Sequence, residues 1–123
     1  MEFAALTYDI IGAAMEVHGL LGPGFLESIY KHALLYELRL RGLETKTEVE
    51  VHISYKEHHI GKHRIDILVG NNVIVEIKGV SAINDVHIAQ ALSYLKATNL
   101  ELALILNFGG SSLSWKRLIK SRE

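Results

Sequence analysis

Apolar residues recur at helical spacing near the start of the chain. Leu6, Ile10, Ala13, Ala14 and Val17 fall on one side of a helix predicted from Leu6 to His18. Gly19-Leu20-Leu21-Gly22-Pro23-Gly24 interrupts it. A second helix is predicted from Phe25 to Arg41, with Phe25, Ile29, Ala33, Leu34 and Leu38 on its apolar side and Gly42 placed to terminate it. The period then falls to two. Val49, Val51, Ile53 and Tyr55 alternate with Glu48, Glu50, His52 and Ser54, as in a half-buried strand. A polar turn at Glu57–Gly61 leads into a strand at Arg64–Val69, and Gly70-Asn71-Asn72 turns it into Val73–Lys78. A third helix is predicted from Asn84 to Thr98, with Asn84 or Asp85 as its cap and Val86, Ala89, Leu92 and Leu95 on its apolar side. The unbroken run Leu102–Leu106 reads as a fully buried strand, and Leu113–Ile119 as a last one. The order α-α-β-β-β-α-β-β places the chain in the α/β (α+β) class. A mixed β-sheet flanked by helices is expected, with the fourth strand parallel to a neighbour because a helix precedes it.

Composition narrows the function classes. With 123 residues, 49% of them apolar, the chain has material for one core, so residues 1–123 are expected to form a single domain. Thirteen Lys and Arg against fourteen Asp and Glu give a net charge of −1, which excludes a strongly basic nucleic-acid coat and an acidic tail. The absence of cysteine excludes disulfide frameworks, thiol nucleophiles and cysteine-ligated metals. Met1-Glu2-Phe3-Ala4 has no basic start to a signal peptide, and no apolar run is long enough for a membrane span. A cytoplasmic location is expected.

Two carboxylates interrupt the most apolar strands: Asp66 in Ile65–Val69 and Glu76 in Val73–Lys78. A charge in such a place costs several kcal/mol unless something compensates it. Period two puts Glu76 and Lys78 on one face. A three-residue loop at Gly70-Asn71-Asn72 would pair Val69 with Val73, set Asp66 opposite Glu76 and Arg64 opposite Lys78; a two-residue loop would put the carboxylates on opposite faces. Facing carboxylates repel, and a hard divalent cation, Mg2+ or Mn2+, is a simple compensation. The alternative is a partly buried salt bridge of Lys78 with both. Gln90 and Tyr94 stand one turn apart on the third helix, and Glu27 and Tyr30 follow the Gly22-Pro23-Gly24 turn at helical spacing. His58, His59 and His63 surround a turn without a fourth ligand, which argues against zinc. Lys56–Arg64 and Lys116–Glu123 are locally basic and could flank a groove that holds phosphates.

Asp66 followed after a hairpin by Glu76-Ile77-Lys78 resembles the signature of the PD-(D/E)XK nuclease superfamily, and Gln90-Ala91-Leu92-Ser93-Tyr94 resembles the Gln-x-x-x-Tyr motif of its RecB-like exonucleases. Gly24-Phe25-Leu26-Glu27-Ser28-Ile29-Tyr30 resembles the motif naming the GxxExxY protein family. Tyr94-Leu95-Lys96-Ala97-Thr98 and Leu106-Asn107-Phe108-Gly109 are similar to it too. The resemblance runs from about Leu6 to Ile119. It implies a PD-(D/E)XK nuclease-like fold, with Asp66, Glu76 and the Ile77 carbonyl as metal ligands and Lys78 as the catalytic lysine. Glu27, Gln90 and Tyr94 would be further residues of the catalytic site. The superfamily's proline before the aspartate is replaced here by Ile65.

The expected function is metal-dependent hydrolysis of phosphodiester bonds in nucleic acid, DNA before RNA, by an activated water. The rival reading is a nuclease-fold binding or assembly module without turnover. A chain this small would act as a homo-oligomer or beside a protein partner, and not at a membrane.

Overall fold

The computed structural model describes residues 3–120. Among these described residues eight elements follow in the expected order: α1 (Ala4–Leu21), α2 (Glu27–Leu40), β1 (Thr45–Tyr55), β2 (His58–Val69), β3 (Val73–Lys78), α3 (Asp85–Thr98), β4 (Leu102–Asn107) and β5 (Ser114–Ile119). The sheet runs β1-β2-β3-β4-β5. Only β3 and β4, joined through α3, are parallel; the other neighbours are antiparallel.

Local chemistry sets the boundaries. Asn84 caps α3 by accepting from the His87 N–H, and His87 Nδ1 accepts from the Asn84 N–H in return. Gly42, at φ 76°, ends α2, with Leu43 N–H bonded back to the Leu38 carbonyl. The β2–β3 loop has three residues, as Val69 pairs with Val73.

The sheet is buried on both faces. Ile67, Val69, Val73, Val75, Ile77, Leu102, Leu104 and Leu106 pack beneath α1 and α2. Val51, Ile65, Leu68, Ile74, Ala103, Ile105 and Leu118 pack beneath α3. Burial on both faces explains why Leu102–Leu106 shows no alternation.

Three expectations need correction. The buried side of α2 is Tyr30, Leu34, Leu35 and Leu38, while Phe25 and Ile29 are exposed. Tyr30 takes the inward position because its ring stacks on Phe108 at 4.7 Å while its hydroxyl donates to Gly22 O (2.5 Å) and accepts from Phe25 N–H (3.1 Å). On α3 the buried residues are Ala91, Tyr94 and Leu95, with Ile88 partly buried; Val86, Ala89 and Leu92 face out. The polar turn at Glu57–Gly61 is instead a two-residue turn at Lys56-Glu57, both at positive φ, and β2 already begins at His58. The outer part of β2, residues 58–63, is solvated, so no apolar alternation marks it as strand, although its β1 partner is marked.

Asn107, fully buried at the end of β4, clamps the segment that leaves β3. Its Oδ1 accepts from Val80 N–H (3.0 Å) and Gly109 N–H (3.1 Å), and its Nδ2 donates to Val80 O (3.0 Å). Gly109 is pressed so close that an added methyl would lie 2.3 Å from Val80 O. Gly109→Ala is therefore expected to cost about 2 kcal/mol or more and to lower the melting temperature by about 5 °C or more. Gly19→Ala, on open α1 surface, is expected to be neutral or to stabilise by up to about 1 kcal/mol. Parallel thermal melts of the two variants check the opposite signs.

Candidate active site

The three-residue loop starts β2 and β3 in a register that would carry Asp66 to Glu76, yet the paired positions stop at Ile67↔Val75. Beyond that the strands part and side chains replace the ladder. Ile77 N–H donates to Asp66 Oδ2 (2.8 Å), and Asp66 N–H donates to Glu76 Oε2 (3.2 Å). Arg64 consequently does not stand opposite Lys78; it lies 3.9 Å from Glu50 on β1.

The other edge of Asp66 is also open. Thr47 pairs with Ile67 and Val49 with Ile65, while Glu48 against Asp66 drops out of the ladder. Glu48 has φ 52°. Ile65 and Ile67, two apart, are buried in opposite layers, so the alternation of β2 changes phase at Asp66. Glu76 shares its parity with Ile74 on the α3 face, whereas Asp66 lines a cleft on the α2 side. The two carboxyls meet where the strands part.

That cleft, of about 200 Å³, is lined by Glu27, Ser28, Lys31, Glu48, Asp66 and Ile77. Glu27 enters from the first turn of α2, and its Oε2 accepts from Gly79 N–H (2.9 Å), one residue past Lys78. Tyr30, one turn on, fixes that helix end through Gly22, so it supports the site without entering it. Lys31 pairs with Glu48 across the cleft. A positive φ at glutamate costs on the order of 1 kcal/mol or more, which an ion pair with a half-exposed partner returns only in part, up to about 1 kcal/mol.

Glu76 is buried, and this pushes its pKa up to about 9; the neighbouring Asp66 charge and the hydrogen bond between the carboxyls push the same way, and the Asp66 N–H and then Lys78 oppose. The Tyr94 hydroxyl is pushed up to about 12 by burial and by the charges of Glu76 and Asp66. Tyr94 thus stays a hydrogen-bond donor at neutral pH. Lys78 is half-buried at the end of β3 and makes no salt bridge among the described residues. The trio is therefore not held as a simple ion-pair cluster. Gln90 is half-buried one turn before Tyr94, with no hydrogen bond to either carboxyl.

A hard divalent cation fits this donor set. Burial and mutual repulsion of two carboxyls are what such a cation relieves, and the oxygens suit it. Among the described residues no group of three or more His, Asp or Glu side chains closes round one point. Backbone carbonyl and water oxygens would have to complete the coordination, as magnesium commonly allows. His58, His59 and His63 do not converge: His59 meets His52 at 3.2 Å, and His63 lies against the Tyr94 ring. Lys62 and Arg64 both lean on Glu50, which offsets the basic stretch of the hairpin. The end of the second basic stretch, residues 121–123, lies outside the described residues. No described helix is long and apolar enough to cross a membrane.

Sequence reasoning did not find Lys31, Glu48 or Asn107 as site or support residues. Lys31 had one available signal, its position one helical turn after Glu27. Glu48 had none, since it reads as one polar position in an alternating strand.

No curated protein matches the chain. Among solved structures it is similar to an alkaline exonuclease from Laribacter hongkongensis, with a TM-score of 0.55 at 13% identity, over 98% of this chain and 72% of that one. It is also similar to the protein SSO0001, with a TM-score of 0.53 at 18% identity, over 96% of this chain and 63% of that one. At these identities both speak for the fold. The family model of the PD-(D/E)XK nuclease superfamily matches residues 4–118, from the first turn of α1 into β5. With the fold and that span in agreement, the chain belongs to the PD-(D/E)XK nuclease superfamily.

Proposed function

We propose that this protein is a divalent-cation-dependent nuclease of the GxxExxY branch that hydrolyses phosphodiester bonds in DNA. The observation that carries the reading is the interlocked Asp66–Glu76 pair at the parting of β2 and β3, with Lys78 two residues further on. Asp66, Glu76 and the Ile77 carbonyl would hold Mg2+ or Mn2+. When bound, such a cation supplies Lewis-acid polarisation of the phosphate and a lowered pKa for water.

The chain's own residues do the rest. Lys78 faces the attacked phosphate, holding its negative charge and orienting the incoming water. Glu27, anchored on Gly79 N–H, keeps its other carboxylate oxygen for water or cation. Tyr94 donates from its neutral hydroxyl, and Gln90 beside it orients water or substrate. The proposal takes residues 1–123 as one domain working in the cytoplasm. A second copy or a protein partner would add nucleic-acid surface to so small a chain.

Two measurements test the reading. Asp66→Asn and Lys78→Ala are each expected to lower Mg2+- or Mn2+-dependent cleavage of labelled single- and double-stranded DNA by about 100-fold or more. Their melting temperatures should stay near wild type or rise, since Asn keeps an acceptor for Ile77 N–H. Unchanged cleavage by both variants would sink the mechanism. Isothermal titration of Mn2+ should show binding that Glu76→Gln removes.

The pH dependence of stability has a definite sign. Glu76 holds a proton up to about 9 in the folded chain and to about 4.5 ordinarily, so folding takes up a proton between these values. Its stabilising contribution is complete below the lower value and is lost as pH rises through the upper one. Thermal melts in EDTA should fall from about pH 6 to pH 9, more steeply than those of Glu76→Gln. Mg2+ should recover stability at the alkaline end, where it no longer competes with the proton.

A further inference from the structure

We propose that Lys31 is a phosphate-binding residue on the α2 wall of the cleft, masked by Glu48 until nucleic acid displaces that carboxylate. The inference rests on the nuclease reading of the site and adds to it a backbone contact and the residue that covers it. Among the described residues lining the cleft, Lys31 is the one basic side chain, against Glu27, Glu48 and Asp66. A phosphate approaching Asp66 from this side meets net negative charge, and within the lining Lys31 is the side chain that can hold it once Glu48 moves aside. Lys31 stands one helical turn after Glu27, so both project from the same face of α2.

Glu48 is built to hold that lysine. Its backbone is left-handed in mid-strand and leaves the β1–β2 ladder directly against Asp66. A merely supporting ion pair between α2 and β1 needs neither feature, because an ordinary strand position would present a carboxylate without strain. The asymmetry of the pair points the same way. The Lys31 side chain is 14% exposed and that of Glu48 53%. The lysine is thus fixed against the wall, while the carboxylate has solvent to swing into. A phosphate oxygen can replace the carboxylate oxygen at the ammonium with the same charge and hydrogen-bond geometry.

The test uses a fluorescein-labelled DNA duplex in EDTA, where binding is read by anisotropy without cleavage. Glu48→Gln should tighten binding about three- to tenfold, and Lys31→Gln should weaken it by about the same factor. Lys31→Gln should also make the slope of log affinity against log salt shallower by about 0.9. Lys31→Arg should stay within about twofold of wild type. The decisive protein is the double variant, which should bind like Lys31→Gln, with the gain from Glu48→Gln gone. A gain that persists without Lys31 would show that removing a negative charge is all that matters, and overturns the proposal. So does a Glu48→Gln protein that binds no better than a wild type that does bind, an outcome that leaves the nuclease reading standing. If wild type and variants all fail to bind and no cleavage is seen with Mg2+, the nuclease reading falls and this inference with it.

Discussion

Where β2 and β3 part, the N–H groups of Asp66 and Ile77 lose their ladder partners, and the carboxyls of Glu76 and Asp66 take them. A buried N–H left unpaired costs about 1–3 kcal/mol, so these acidic side chains are structural acceptors before they are anything else. That role fixes their position. Locked to neighbouring backbone, the Glu76 carboxyl can neither reach water nor separate from that of Asp66, so burial first and the Asp66 charge second keep its pKa high. In the absence of a cation a proton does the neutralising. A site organised in this way needs little rearrangement when a divalent ion replaces the proton, which is the essence of electrostatic preorganisation.

The surrounding motif residues divide between chemistry and support. In the stretch Gly24–Tyr30, Gly24 adopts φ 108° in the turn, Glu27 reaches Gly79 N–H, and Tyr30 is spent entirely on the fold. Its hydroxyl holds Gly22, and its ring rests on Phe108, which is itself tied to Lys78 O through its N–H. Asn107 closes the other side by clamping Val80. The segment just after Lys78 is thus gripped from α2 and from β4 at once. Two motifs far apart in sequence, one beginning α2 and one ending β4, converge on the same few backbone atoms.

Much of this was legible in the sequence because burial writes itself as periodicity. Element order and a fourth strand parallel to a neighbour follow from apolar spacing and turn chemistry, whereas the choice between a two- and a three-residue loop, and which strand is the parallel partner, come only with the folded register. The faces of α2 and α3 were not legible either. Both helices carry apolar residues around more than one side, and spacing alone could not show that Tyr30 would displace Ile29, or that Tyr94 would turn inward while Leu92 faced out. The outer part of β2 was missed for the opposite reason: with solvent around it, no period marks it as strand. For the site, carboxylates in apolar strands were visible as a cost without a partner. Lys31 and Glu48 were not, since polar residues at a rim are indistinguishable from ordinary surface until the fold brings them together.

Asp66 is free of the ladder on both edges, with Glu48 absent on one side and β3 parted on the other. A central strand would ordinarily lose stability from such a gap. Here Ile65 and Ile67 hold it open, each fully buried in an opposite layer, so that straightening β2 would pull one of them out of its core. Burying an isoleucine contributes about 1.5–3 kcal/mol, enough to outweigh a mid-strand irregularity of the usual cost. The change of phase in β2 that presents the Asp66 carboxylate is therefore supported by hydrophobic packing, while the left-handed backbone of Glu48 is a separate feature of the facing strand. Apolar residues flanking the acidic one on both sides make that arrangement possible. The isoleucine that stands where the superfamily has proline supplies one of those two anchors.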